Sequence, residues 1–176
     1  MKNILIISAV FPPEPVTSAT LNYDLALALS EAFKVTVLTP KPSRPAGFDF
    51  TKIQPSGEKC FNHIVMDSYV HAATSFTGRM KESWSFGKVT AQYIVDHHKE
   101  IDFVYNDGWQ LFGLYIVAKV CVKYNIPYIV PVQDIYPESL LTKIPNICGS
   151  HALVKMMFGW MDKFYQEHAA KVRTIT

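Results

Sequence analysis

The segment VPVQDIYPESL sets Gln133, Asp134 and Glu138 directly behind an apolar run that reads as a buried strand. Pro137 is suited to the first position of a helix. Two carboxylates four residues apart at the carboxyl end of a strand are poorly placed for packing. They are well placed to hydrogen-bond the hydroxyls of a sugar. Glu138 also has a purely structural reading, as a first-turn acid favoured by the helix dipole.

The second candidate is the loop Val10 to Ser18, inside VFPPEPVTSATLNYDLALAL. Between Met1 and Pro40 there is no glycine, so the G-x-G-x-x-G fingerprint of dinucleotide binding is absent. Pro12, Pro13 and Pro15 fix φ and stiffen the connection. Thr17 and Ser18 fall where a helix N-cap belongs, which leaves backbone N–H groups to meet an anion. A rigid connector with an ordinary cap is the alternative.

Other chemistry is thinner. His97 and His98 adjoin at a helix end, where positive charge is favoured, and lack metal-ligand spacing. His63, His71, His151 and His168 form no constellation, and neither a G-x-S-x-G elbow nor a Cys/His pairing is visible. Cys60, Cys121 and Cys148 are far apart and odd in number, which fits reduced, mostly buried thiols of a cytosolic protein.

The elements that position these residues alternate strand and helix, the pattern of a parallel sheet covered on both faces. Strands are expected at NILIISAV, KVTVLT, FNHIVMD (an edge strand), DFVYN, PYIVPVQ and KVRTIT. Helices are expected over 19–33, between Gly78 and His98, over 109–124 and over 150–168, with a turn or short helix from Pro137. Pro40 to Lys59, with four prolines and two glycines, reads as a long loop. The fold class is therefore α/β, a Rossmann-like open parallel sheet with helices on both faces.

The 176 residues suit one domain with a sizeable core, and 49% apolar with 18% charged residues argues against disorder. A net charge of +2 without long Lys/Arg runs excludes a nucleic-acid footprint. The start MKNILIISAVFPP has the order of a signal peptide, but its apolar run stops at proline without a small-residue cleavage site, so it reads as a strand. The segment LFGLYIVAKVCV falls short of the ~20 residues a membrane span needs.

Two helices carry more apolar surface than one core contact needs. Around Met156, the residues Met156, Trp160, Leu153, Phe164, Met157, Met161, Val154, Tyr165 and Phe158 fill an arc of roughly 200°, so part of it is expected to face a partner. Between Gly78 and His98, the stripe Met80, Trp84, Ala91, Ile94 and Val95 is expected to face the sheet. A second stripe, Phe86, Val89 and Tyr93, is expected to face either lipid, helped by Arg79, Lys81 and Lys88, or the preceding loop with Tyr69 and Phe76.

Taken in order, the strand followed by FPPEP and AT-NYDLA-AL, then VTVLTPKP, then IPYIVPVQDIYPESL resembles the N-terminal half of retaining GT-B glycosyltransferases. The resemblance spans the whole chain and points to the bacterial surface-polysaccharide branch that includes L-fucosamine transferases. It implies an acceptor-side domain over 1–176 whose donor-binding C-terminal partner lies outside this chain. It implies a metal-independent transfer from a nucleotide sugar, which is a substrate rather than a cofactor, to a glycan or polyprenyl-linked acceptor. The place implied is the cytoplasm, with a peripheral contact at the inner face of the membrane.

Residue by residue, the resemblance sets Val16, Thr17 and Ser18 towards the donor diphosphate and lets Asn22 and Tyr23 line or support the cleft. Asp134 and Glu138 match the acids of a QD-x-[WY]-PE motif on the acceptor side, and Gln133 precedes them. Two departures stand out. Val16 and Thr17 replace a usual glycine pair, which bears on close approach to the diphosphate. After the fourth strand comes NDGW, where Asn106 and Asp107 contact an acceptor sugar or Asp107–Gly108 is simply a turn. A sugar-nucleotide 2-epimerase and a non-catalytic glycan- or membrane-binding module are the competing functions.

Overall fold

A computed structural model describes residues 1–50, 60–71, 75–109, 111–132 and 150–174. Six strands form one sheet: β1 (Asn3–Ser8), β2 (Lys34–Thr39), β3 (Asn62–Val65), β4 (Phe103–Asp107), β5 (Tyr128–Val132) and β6 (Lys171–Thr174). Every neighbouring pair is parallel, in the order β3-β2-β1-β4-β5-β6. The chain winds outward from β1 to β3, then crosses back to β4 and winds the other way. The switch in direction falls between β1 and β4, whose register pairs Ser8 with Asp107.

The described helices are α1 (Thr17–Ser30), α2 (Phe76–His97), α3 (Phe112–Lys123) and α4 (Ser150–Glu167). Right-handed crossovers place α1 on one face and the other three opposite it. The cores agree. Ile4, Ile6, Val35 and Val37 pack with Ala26 of α1, Phe11 and Phe61. Leu5, Ile7, Leu38, Val104 and Val130 pack with Phe86 and Ile94 of α2, Leu114 and Val117 of α3, and Tyr165 of α4. Both faces of β1 are thus buried, which is why its sequence is an unbroken apolar run instead of an alternation.

The helix layer is tightest where α2 meets α3. A Cβ on Gly87 would lie 2.8 Å from the Gly113 Cα, and the Gly113 N–H donates to Ser83 Oγ at 2.9 Å. This contact fixes the middle of α2 against the first turn of α3. On α4, Met161 and Tyr165 are buried and Tyr128 Oη donates to the Tyr165 carbonyl at 2.8 Å, while Met156 and Trp160 stay exposed. The wide apolar arc on α4 is therefore split between core and surface.

Several expectations need correction. Helix α1 starts at Thr17, with Val16 in extended backbone at the cap and no side-chain capping bond, so neither Thr17 nor Ser18 caps it. It ends at Ser30, because the Ala32 and Phe33 N–H groups both turn back to the Leu29 carbonyl. In α2 both stripes reach the core: Ala91 and Ile94 are buried as expected, but so is Phe86, with Val89 and Tyr93 packed on the core, while Trp84 of the first stripe is exposed. Cys60 is exposed, whereas burial pushes the Cys121 thiol up to about 12. The turn or short helix expected from Pro137 lies outside the described residues, as do Cys148 and the trio Gln133, Asp134 and Glu138. Among the described residues no helix is long and apolar enough to cross a membrane.

Candidate functional site

In an open parallel sheet, ligands sit beyond the carboxyl ends of the strands at the switch point. Here that edge carries two buried polar clusters, one on each face. Alternation along β4 separates them, because successive side chains point to opposite faces. Val104 belongs to the α2–α3 core, so Asn106 shares that face, and Asp107 turns to α1.

The cluster on the α1 face is closed. Asn22 of α1 donates through Nδ2 to Ser8 Oγ and to Asp107 Oδ2, each at 2.7 Å. Ser8 Oγ donates its own hydrogen bond to the Val10 carbonyl, and the Ala9 N–H donates to the Asp107 carbonyl at 2.9 Å. Ser8, Asn22 and Asp107 are all buried. Tyr23 joins an aromatic group instead of a pocket wall, with Phe11 and Phe61 ring centroids 5.9 and 5.6 Å away. Val16 and Ser18 are half-buried and Thr17 is exposed.

The cluster on the α2–α3 face draws on four connections. Glu14, from the loop after β1, accepts the N–H groups of Ser43 and Arg44 through Oε1 at 2.7 and 2.9 Å. That ties the proline-rich loop to the loop after β2. Arg44 then reaches Glu82 of α2, Nη2 to Oε2 at 2.7 Å, and lays its guanidinium over the Trp109 ring with 3.9 Å to the centroid. Arg79 approaches the same Glu82 oxygen at 3.4 Å and stands 5.6 Å from the same ring. The His71 N–H donates to the other oxygen, Oε1, at 3.3 Å. Beyond Trp109, the buried Leu111 holds φ at 62°, a left-handed conformation unusual for a branched side chain.

Burial raises the carboxyl pKa of both acids. For Glu82 the His71 N–H and then Arg79 pull the other way. For Glu14 the main-chain hydrogen bonds oppose burial and the nearby Glu82 reinforces it. Four buried side-chain atoms have no hydrogen-bond partner among the described residues; Arg44 Nε and Trp109 Nε1 belong to this cluster, and Asn106 Nδ2 lies on the same face of β4. All three are N–H donors. The carboxylates of Glu82 and Glu14 serve the Arg44 Nη2 and two main-chain N–H groups, and these three donors are left over. Among the described residues no group of three or more His, Cys, Asp or Glu could hold a metal ion.

The structure therefore separates residues that the sequence groups. Asp107 is committed to Asn22, Asn106 keeps an unmet donor, and the catalytic candidates Asp134 and Glu138 lie outside the described residues with Gln133. Missing from the sequence reading are Glu14, Arg44, Glu82 and Trp109. Their only signal was that a charged residue, Glu14, interrupts a loop of prolines.

No family model matches the chain, and no curated protein matches it. Among solved structures, Arabidopsis thaliana UGT89C1 complexed with UDP-L-rhamnose is similar at 14% identity and a TM-score of 0.43, covering 99% of this chain and 52% of that one. Anabaena Alr3699/HepE in complex with UDP and glucose is similar at 10% identity and a TM-score of 0.45, covering 99% and 44%. The chain thus spans about half the length of either neighbour.

Proposed function

We propose that this chain is the acceptor-binding half of a retaining, metal-independent glycosyltransferase. It moves a sugar from a nucleotide-sugar donor to a glycan or lipid-linked saccharide in surface-polysaccharide synthesis. The observation that carries this reading is the polar rim at the switch point of the sheet, built behind a first loop without the dinucleotide fingerprint. Glu14 of the FPPEP motif organises that rim by holding the loop after β2. In this reading Asp134 and Glu138 orient the acceptor hydroxyl, and a second Rossmann-like half holds the donor. The test is a transfer assay on the full-length enzyme. Asp134→Ala or Glu138→Ala lowers turnover by about 10²-fold with the melting temperature nearly unchanged. A large stability loss with near-normal turnover returns both acids to helix capping, and turnover by residues 1–176 alone overturns the division of roles.

The peripheral membrane contact belongs to the same proposal, on a different surface from the one expected. Trp84, Phe112 and Phe158 follow one another edge-to-face across α2, α3 and α4 at 5.5 and 5.9 Å, and Trp160 meets Tyr115 at 4.9 Å. Trp84 and Trp160 are half exposed, with Lys81, Lys88, Lys119, Lys155 and Lys163 on the same helices. Aromatic rings among lysines suit an anionic bilayer surface, each lysine adding up to ~1 kcal/mol. Arg79 is instead turned to Glu82. Full-length protein is expected to co-sediment with phosphatidylglycerol vesicles, to be released by high salt, and to lose binding in the Trp84→Ala/Trp160→Ala double variant. Unchanged sedimentation of that variant removes the surface from the proposal.

A further inference from the structure

We infer that the cluster on the α2–α3 face is an oxyanion-binding subsite, taking a phosphate or carboxylate group with Arg79 as its principal contact. This rests on the reading of the carboxyl edge as a ligand site. Three observations converge on it. Glu82 is already served by Arg44 at 2.7 Å and by the His71 N–H, so the 3.4 Å approach of Arg79 is a loose second contact. The Arg79 side chain is 30% exposed and keeps most of its five donors for another partner. Glu14, the other acid nearby, accepts two main-chain N–H groups through Oε1 and meets Arg79 through charge attraction alone, without a hydrogen bond.

The unmet donors decide the class of ligand. Arg44 Nε, Asn106 Nδ2 and Trp109 Nε1 are closed off from bulk solvent and find no acceptor among the described residues. Such donors are costly to leave unpaired, and the deficit is one-sided: every one of the three calls for an oxygen with lone pairs. A phosphate or carboxylate supplies several such oxygens together with the charge that a guanidinium binds best. A sugar ring stacked on Trp109 fits less well, because Arg44 already covers that ring at 3.9 Å.

The test is nitrogen-15 NMR of the chain, following the indole N–H of Trp109, assigned with Trp109→Phe, and the Arg44 Nε–H. Inorganic pyrophosphate, glucuronate and glucose are titrated separately at constant ionic strength. Saturable shifts of both signals with pyrophosphate or glucuronate, and none with glucose, are expected. The arm that binds tighter identifies the source as phosphate or carboxylate. Arg79→Gln should weaken that binding by about tenfold, Arg79→Lys by less, and Lys34→Gln at the opposite edge of the sheet should leave it unchanged. Equal shifts with glucose, or full affinity in Arg79→Gln, overturn the inference. Anion binding without sugar transfer by the full-length enzyme sinks the proposed function alone; transfer with a silent Trp109 sinks only the subsite.

Discussion

Asn106 and Asp107 are neighbours in sequence, yet one belongs to a closed hydrogen-bond cluster and the other to an open one. On the α1 face, Asn22 bridges Ser8 and Asp107 at 2.7 Å each and stitches β1, α1 and β4 together. On the α2–α3 face, Arg44, Asn106 and Trp109 each keep a buried donor without a partner among the described residues. Both clusters are buried, both sit at the switch point, and both join segments distant in sequence. The difference lies in what is left over. A satisfied network stabilises one arrangement of the backbone, whereas an unsatisfied set of like donors fits a ligand better than it fits the empty protein.

The comparison is broken most directly by removing the acid at the centre of the open cluster. Glu82→Ala leaves the Arg44 guanidinium buried beside Trp109 with its 2.7 Å partner gone. Stripping one member from a buried pair costs about 3–5 kcal/mol, to be read from urea unfolding. Asn22→Ala, in the closed cluster, removes two hydrogen bonds and should cost about 1.5–3 kcal/mol. The two variants are expected to part company in anion binding: Asn22→Ala keeps it and Glu82→Ala disturbs it. If Asn22→Ala weakened pyrophosphate binding as much as Arg79→Gln does, the distinction between the clusters would be wrong.

Much of the frame was legible because it is local. KVTVLT forms β2 with the expected bounds, and the unbroken apolar run of β1 announced burial on both faces. The wheel of α2 did not show that residues of both stripes meet the core, since that depends on α3 and the sheet. The fate of Asn106 and Asp107 turned on one residue. Ending β4 at Asn106 makes Asp107 part of a turn, while extending it to Asp107 sends the pair to opposite faces by strand alternation alone. The open cluster was not legible at all. Glu14, Arg44, Glu82 and Trp109 come from four separate connections, and no spacing rule relates them before the sheet order brings their loops to one edge.

The smallest expected effect sharpens the comparison through pH. Burial raises the Glu82 and Glu14 carboxyl pKa values, so the folded chain holds these protons to higher pH than the unfolded chain does. In the window from the ordinary glutamate value of about 4.3 up to the raised folded values, the folded state binds more protons. The contribution of these acids to stability therefore falls as pH rises through that window, and is most favourable below it. Asp67 acts in the opposite sense: Lys41 lowers its pKa, and what it adds is lost as pH falls. Subtracting a variant from the parent cancels such background. The measurement is the urea midpoint of the parent against Glu82→Gln, at several values from about pH 4 to 7. Glu82→Gln keeps an acceptor for Arg44 but cannot titrate, so the parent should lose ground to it as pH rises. A difference that stays constant over the range would mean that Glu82 titrates like an exposed glutamate and that the cluster around it is open to water.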